Sequence, residues 1–299
     1  MKQKTSSKEE IQGQIPIVIN ISEIQEKRDL SPIMGADVQN FPSLLTKIAY
    51  LGICYEPVNG GTTWHTHPLN FGPEISCQED IWYVLRGKGT MYYKRSGELK
   101  SFEFKQGDII HSKHLTNYTW NTGDELLVIP FFEIPRLPFD ENAYGNLRTL
   151  TPADIPEEAR PLDPPVLVHE DDIDLVYPFR EGKAAIQPLI TPKTADSKHG
   201  NVGKFIAEPG QGSDWHTHPT DVWKGFPEED LSYVTKGAGT LYYRFNGKEY
   251  AMPLRQGDMV FTGHLPHCVR NTGTEQLIML CLLTPNNRAI AGEIPEICP

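Results

Sequence analysis

"WHTHP" occurs twice in this chain, at Trp64–Pro68 and at Trp215–Pro219. Its two histidines are spaced i, i+2, which puts both side chains on one face of a β-strand. The surroundings repeat as well. "EDIWYVLRGKGTMYY" (79–93) matches "EDLSYVTKGAGTLYY" (229–243), and "KQGDIIHSKHLTNYTWNTGDELLVI" (105–129) matches "RQGDMVFTGHLPHCVRNTGTEQLIM" (255–279). The offset is 151 at the histidines and 150 after the acidic residues, so one gap separates the blocks. Self-similarity over roughly seventy residues marks a duplicated domain.

Within each copy, short β-branched and aromatic runs are broken by Gly and Asp, with hairpin turns expected at "RSGE" and "NGKE". That pattern predicts an all-β barrel or sandwich in each copy. The expected layout is an N-terminal arm (1–45), a first barrel (46–135), a linker (136–189), a second barrel (190–285) and a tail (286–299). The arm should carry a strand around "IPIVINISEI" that packs on another domain or subunit. The linker is rich in Pro and acid, and is expected to be ordered with at most a short helix near Ala153–Arg160.

Composition excludes several classes. The formal net charge of -11, without a Lys/Arg cluster, argues against nucleic acid. No long apolar run or signal-like leader is present, so neither a membrane span nor export is expected, and the expected location is cytoplasmic. Five cysteines without a CxxC pair argue against a disulfide framework or a zinc ribbon. There is no GxSxG elbow, Walker loop or dinucleotide fingerprint.

The chemistry therefore rests on histidines. Eight of the ten lie in the two repeated blocks, leaving only His169 and His199 outside. Paired imidazoles on one strand, followed by acids and a Gly turn, suit a metal. The arrangement resembles the cupin superfamily. The resemblance is carried by "GGTTWHTHPLNFGPEISCQEDIWYVLRG", by "GQGSDWHTHPTDVWKGFPEEDLSYVTKG", and by "GDMVFTGHLPHCVRN" in the second copy. It implies a bicupin, with two double-stranded β-helix (jelly-roll) barrels and a first-row metal held by imidazoles and a carboxylate.

Two departures from the family pattern matter. Where the family has glutamate, this chain has Asp80 and Asp230, each preceded by a glutamate, Glu79 or Glu229. Strand alternation favours the aspartates as site-facing, with Glu229 the alternative to Asp230 as ligand or proton acceptor. The last histidine of the family motif is His267 in copy two but Asn117 in copy one. Copy two can assemble His216, His218, His267 and Asp230. Copy one has His65, His67 and Asp80, and either keeps a two-His-one-carboxylate site or has become a scaffold. The active metal is expected in copy two. His264 could replace His267 if its turn were aimed differently, and His114 matches it in copy one. His111, unique to copy one, could supply an imidazole there.

Ser232 stands where copy one has Trp82, which gives copy two more room. Trp64 and Trp215 should pack outside the site, and Cys268 should face away from it. Tyr242, Tyr243 and Arg244, with counterparts Tyr92, Tyr93 and Lys94, could reach a substrate or pack. The resemblance implies a non-haem Fe(II) dioxygenase of a small organic substrate, using O₂. Mn(II), Ni(II) and Zn(II) are the alternative metals. An isomerase or lyase, or a non-catalytic binder, are the rival functions, and homo-oligomers are common in such folds.

Overall fold

The computed structural model describes residues 15–23, 27–28, 37–40, 49–65, 69–72, 75–77, 79–112, 115–134, 163–218 and 228–284. His67, His114, the expected helix at 153–160 and the tail lie outside the described residues. The described chain is almost entirely antiparallel β-structure.

Two large sheets carry the architecture. The first runs in the order Val166–His169, Asp108–Ser112, Glu79–Tyr83, Leu127–Ile134, Tyr50–Glu56, Asp37–Asn40 and Lys27–Arg28. The second runs Ile17–Asn20, Asp258–Phe261, Glu229–Lys236, Leu277–Thr284, Asn201–Ala207 and Ala185–Ile190. A three-stranded sheet closes each barrel: Asn117–Asn121, Lys88–Arg95 and Glu98–Lys105 in barrel 1, and His267–Arg270, Ala238–Phe245 and Lys248–Arg255 in barrel 2. The expected hairpin turns are in place. Ser96 and Gly97, like Asn246 and Gly247, all have positive φ (51°, 76°, 51° and 72°), as a two-residue turn of the twist-matching kind requires.

Side-chain alternation sorts residues into three cores. In Leu127–Ile134, Val128, Phe132 and Ile134 face the other barrel, whereas Leu127, Ile129 and Phe131 face the interior of barrel 1. The shared core between barrels joins Leu51, Ile53, Ile81 and Phe132 to Leu231, Phe261, Leu280 and Leu282. The large sheets therefore pack back to back and leave each interior independent.

The arms cross over. Ile17–Asn20 pairs with Asp258–Phe261 of barrel 2, and Val166–His169 pairs with Asp108–Ser112 of barrel 1. The stretch 136–189 is thus more than a connection, since it gives an edge strand to the first barrel. The two crossings are built alike. Asn20 Nδ2 donates to Asp258 Oδ1 at 2.7 Å, and His169 Nδ1 bonds Asp108 Oδ1 at 2.6 Å.

Glu79 locks the barrels together. Its carboxylate accepts from Ser197 Oγ (2.8 Å) and the Lys198 amide (2.8 Å), and lies 3.6 Å from His111 Nε2. His111 Nδ1 bonds the Ala195 carbonyl at 3.1 Å. His111 thus faces the interface and does not supply an imidazole to barrel 1. Glu229 makes the reciprocal contact, accepting from the Ala49 amide at 3.1 Å. Neither glutamate points into a barrel, because each is one residue out of phase with its inward aspartate.

Candidate metal centre

His216 and His267 sit opposite each other on a two-way backbone bridge, each amide donating to the other's carbonyl (3.0 and 2.9 Å). His218 follows two residues after His216. The three rings meet with centroid separations of 4.4, 5.1 and 5.3 Å, and one nitrogen from each lies within 4.8 Å of the others. His267, rather than His264, completes the trio, and His264 packs edge-on against Phe261 at 6.1 Å.

Hydrogen bonding fixes which nitrogen faces inward. His216 Nδ1 lies 2.8 Å from the Asp214 carbonyl, and His267 Nδ1 lies 2.8 Å from the Leu265 carbonyl. A carbonyl only accepts, so each Nδ1 carries the proton and each Nε2 presents a lone pair. His218 Nδ1 is held by Glu228 Oε1 at 2.6 Å, so its Nε2 also turns inward. That Nε2 lies 3.4 Å from Asp230 Oδ2, and Ser232 Oγ donates to Asp230 Oδ1 at 3.2 Å. The Nε2 atoms of His218 and His267 are buried without a hydrogen-bond partner.

Three imidazoles thus converge, with the Asp230 carboxylate against one of them, and such a set fits a cation. Atoms sharing a metal at bonds of about 2.1 Å stand roughly 3 Å apart, and Asp230 Oδ2 stands close to that separation from His218 Nε2 despite its short side chain. The electrostatics agree. Burial and the neighbouring His218 push His216 down to about 4. Burial and its two partner imidazoles take His267 well below its usual value. For His218, burial is outweighed by Asp230 and Glu228, which raise it to about 9.

Three supporting residues carried little or no sequence signal. Glu228 orients His218; in "EED" it shares a strand face with Asp230, which was the one clue. The Asp214 carboxylate accepts from the amides of Arg180, Glu181 and Gly182 (2.9, 3.0 and 2.7 Å), while its carbonyl orients His216. That anchor sets the Phe179 ring 6.3 Å from His216 and 6.0 Å from Phe205. Glu228→Gln should weaken metal binding about 10–100-fold, as loss of an orienting carboxylate does. Competition titration against a metal-sensitive dye measures it, and unchanged affinity would mean that Glu228 does not orient His218.

Barrel 1 keeps the frame with different atoms. His65 Nδ1 bonds the Thr63 carbonyl at 2.8 Å, as at the matched His216. Asn117 Nδ2 donates to the Leu115 carbonyl at 2.8 Å, so Asn117 copies the pose of His267 but offers an amide oxygen, buried and without a hydrogen bond. Asp80 is buried nearby, and Trp82 fills the interior with Val84, Met91 and Leu127. Arg244 lies over the Trp215 ring at 4.0 Å and Tyr243 stacks on Tyr250 at 5.2 Å. In barrel 1, Trp64 meets Tyr118 edge-on and Tyr118 stacks on Tyr92.

These features define a duplicated β-barrel with a cluster of three imidazoles in its second half, a set able to hold a cation. Residues 203–283 match the Cupin domain family, and the two barrels together have the bicupin fold. Protein SchB of Streptomyces halstedii is 29% identical over 113 residues, 38% of this chain and 74% of that protein. Among solved structures, a mutant oxalate decarboxylase from Bacillus subtilis superposes with TM-score 0.66 at 12% identity, covering 91% of this chain and 78% of that one. Another structure of the same enzyme, from work on its Mn(II) centres, gives TM-score 0.66 at 13% identity over 91% and 78%. The formate complex of the Lactobacillus farciminis oxalate decarboxylase gives TM-score 0.64 at 14% identity over 90% and 86%. At such identities the likeness is one of fold. Among the described residues, no helix is long and apolar enough to cross a membrane.

Proposed function

We propose that this bicupin is a metal-dependent enzyme whose reaction centre is in barrel 2, and that it carries out a lyase-type reaction on a small substrate with oxygen donors. The observation that carries this reading is the convergence of ring nitrogens from His216, His218 and His267, with the Asp230 carboxylate beside His218. Mn(II) is the metal we favour, because the similar folds include an oxalate decarboxylase with Mn(II) centres. The same likeness leads us to prefer a lyase over the Fe(II) dioxygenase expected from the sequence.

A divalent cation held there would polarise a carboxylate or carbonyl of the substrate. The chain's own contribution is positioning. Three imidazoles are locked in one tautomer by Asp214, Leu265 and Glu228, and Ser232 holds the Asp230 carboxylate toward them. Glu229, bonded to Ala49 in the interface, has no part in this chemistry.

Removing O₂ tests the reaction class. Mn(II)-loaded protein, screened against small oxo acids and dicarboxylates with CO₂ release as readout, is expected to turn over equally well with and without O₂. A strict O₂ requirement would restore the oxygenase reading.

A further inference from the structure

The two strands that cross between barrels are seated alike but tied differently. Ile17–Asn20 ends on Asn20, whose Nδ2 donates to Asp258 Oδ1 at 2.7 Å. Val166–His169 ends on His169, whose Nδ1 lies 2.6 Å from Asp108 Oδ1. The two aspartates are equivalents. Each is buried, and the second oxygen of each accepts the backbone amide three residues earlier, from Lys105 at 2.7 Å and from Arg255 at 2.8 Å. The turns before them match too. Gly107 and Gly257 have φ of 88° and 89°, and a Cβ at Gly107 would stand 3.1 Å from His169 Cε1. What differs is the tying group. Barrel 2 is tied by an amide that does not titrate, and barrel 1 by an imidazole that does.

That imidazole has an acid at each nitrogen. Its Nε2 lies 3.3 Å from Asp171 Oδ2, in the turn that follows the strand. An ionised carboxylate only accepts, and a neutral imidazole has one N–H. Whichever nitrogen keeps that proton, the other turns a lone pair on a carboxylate. The imidazolium alone serves both, so the geometry selects the charged ring. The adjacent Glu170 carboxylate is engaged elsewhere, by Tyr83 Oη and Lys204 Nζ at 2.6 Å each. The Asp108 hydrogen bond, with the charges of Asp108 and Asp171, outweighs burial and the opposing Lys105 and holds His169 above its usual value.

We infer that His169 is a pH-responsive latch: protonated, it fastens the linker strand to barrel 1, and on losing that proton it loosens the strand while the N-terminal arm stays fastened to barrel 2. A histidine raised above its unfolded value of about 6.5 adds stability that is fully present below that value and is lost as pH rises through the folded one. The linker strand is therefore held tightest in mildly acidic solution and most loosely in alkaline solution.

Hydrogen exchange of the full-length protein at pH 6 and pH 9, expressed as protection relative to the unfolded chain at each pH, reads both crossings at once. Protection over 166–170 should fall about fivefold from pH 6 to pH 9, the upper range for a partly exposed ion pair, while protection over 17–20 stays level. His169→Asn, which installs the tie found at Asn20, should abolish the fall. No change over 166–170, or an equal change over 17–20, overturns the latch even if the variant does not fold. A fall that persists in folded His169→Asn overturns it as well.

Discussion

His267→Asn is expected to strip the metal from barrel 2 and abolish turnover. The substitution writes into barrel 2 the residue that barrel 1 already carries at the matched position, Asn117, whose amide folds back on the carbonyl two residues earlier. The variant asparagine should adopt that pose, donating to the Leu265 carbonyl in place of the imidazole, so the fold should survive. What changes is the donor: an amide oxygen replaces an imidazole lone pair, a poorer partner for a first-row metal. Loss of a direct ligand should exceed the roughly 10–100-fold penalty for losing an orienting group. Elemental analysis after dialysis should fall by one metal per chain. Thermal unfolding gives a second readout, because metal at about 100 times its Kd should add about 2.7 kcal/mol to the parent and nothing to the variant. A variant with full metal content would refute the ligand role of His267.

Much of this contrast is legible in the sequence, for a physical reason. The inward phase of Asp230 follows from two-residue periodicity within its strand, and the His267/Asn117 difference from aligning the two copies; the HxH pair is legible from its spacing, although His216 sits on an isolated bridge rather than in a strand. The facing of Glu229 and His111 obeys the same rule, but their partners come from the other barrel. Ala49 and Ala195 have no local signature linking them to these side chains. The crossed arms are hidden for the same reason: Ile17 pairs with Phe261, most of a chain length away. Asp214 and Phe179 act through a loop that no periodicity describes. Glu228 lies between these cases, since its phase was readable but its hydrogen bond to His218 was not.

Two buried glutamates should give stability opposite dependences on pH. Burial alone would raise Glu79, but His111, the Lys198 amide and His199 outweigh it and bring it down to about 2 from 4.5. A depressed carboxylate stabilises the fold above its unfolded value, and that stability is lost as pH falls from 4.5 toward 2. The shift corresponds to about 3 kcal/mol at neutral pH. Glu56 behaves in reverse. It is fully buried in barrel 1, where barrel 2 has Ala207, and Thr119 is its hydroxyl partner. Burial outweighs that bond and raises it to about 7. Its neutral form is at no disadvantage below pH 4.5; the penalty grows as pH rises from 4.5 to 7, where the unfolded carboxyl ionises and the folded one does not, and levels off above 7 at about 3 kcal/mol. Urea unfolding at pH 3, 5 and 8 separates the two. Glu79→Gln should destabilise strongly at pH 8 and far less at pH 3, because the parent loses the same interaction in acid. Glu56→Gln should stabilise at pH 8 and change little at pH 5 or below. If Glu56→Gln destabilised the protein equally at pH 5 and 8, the carboxyl would be acting as a packed hydrogen-bonding group rather than a suppressed acid. A pH-independent loss in Glu79→Gln would likewise assign that side chain to shape rather than charge.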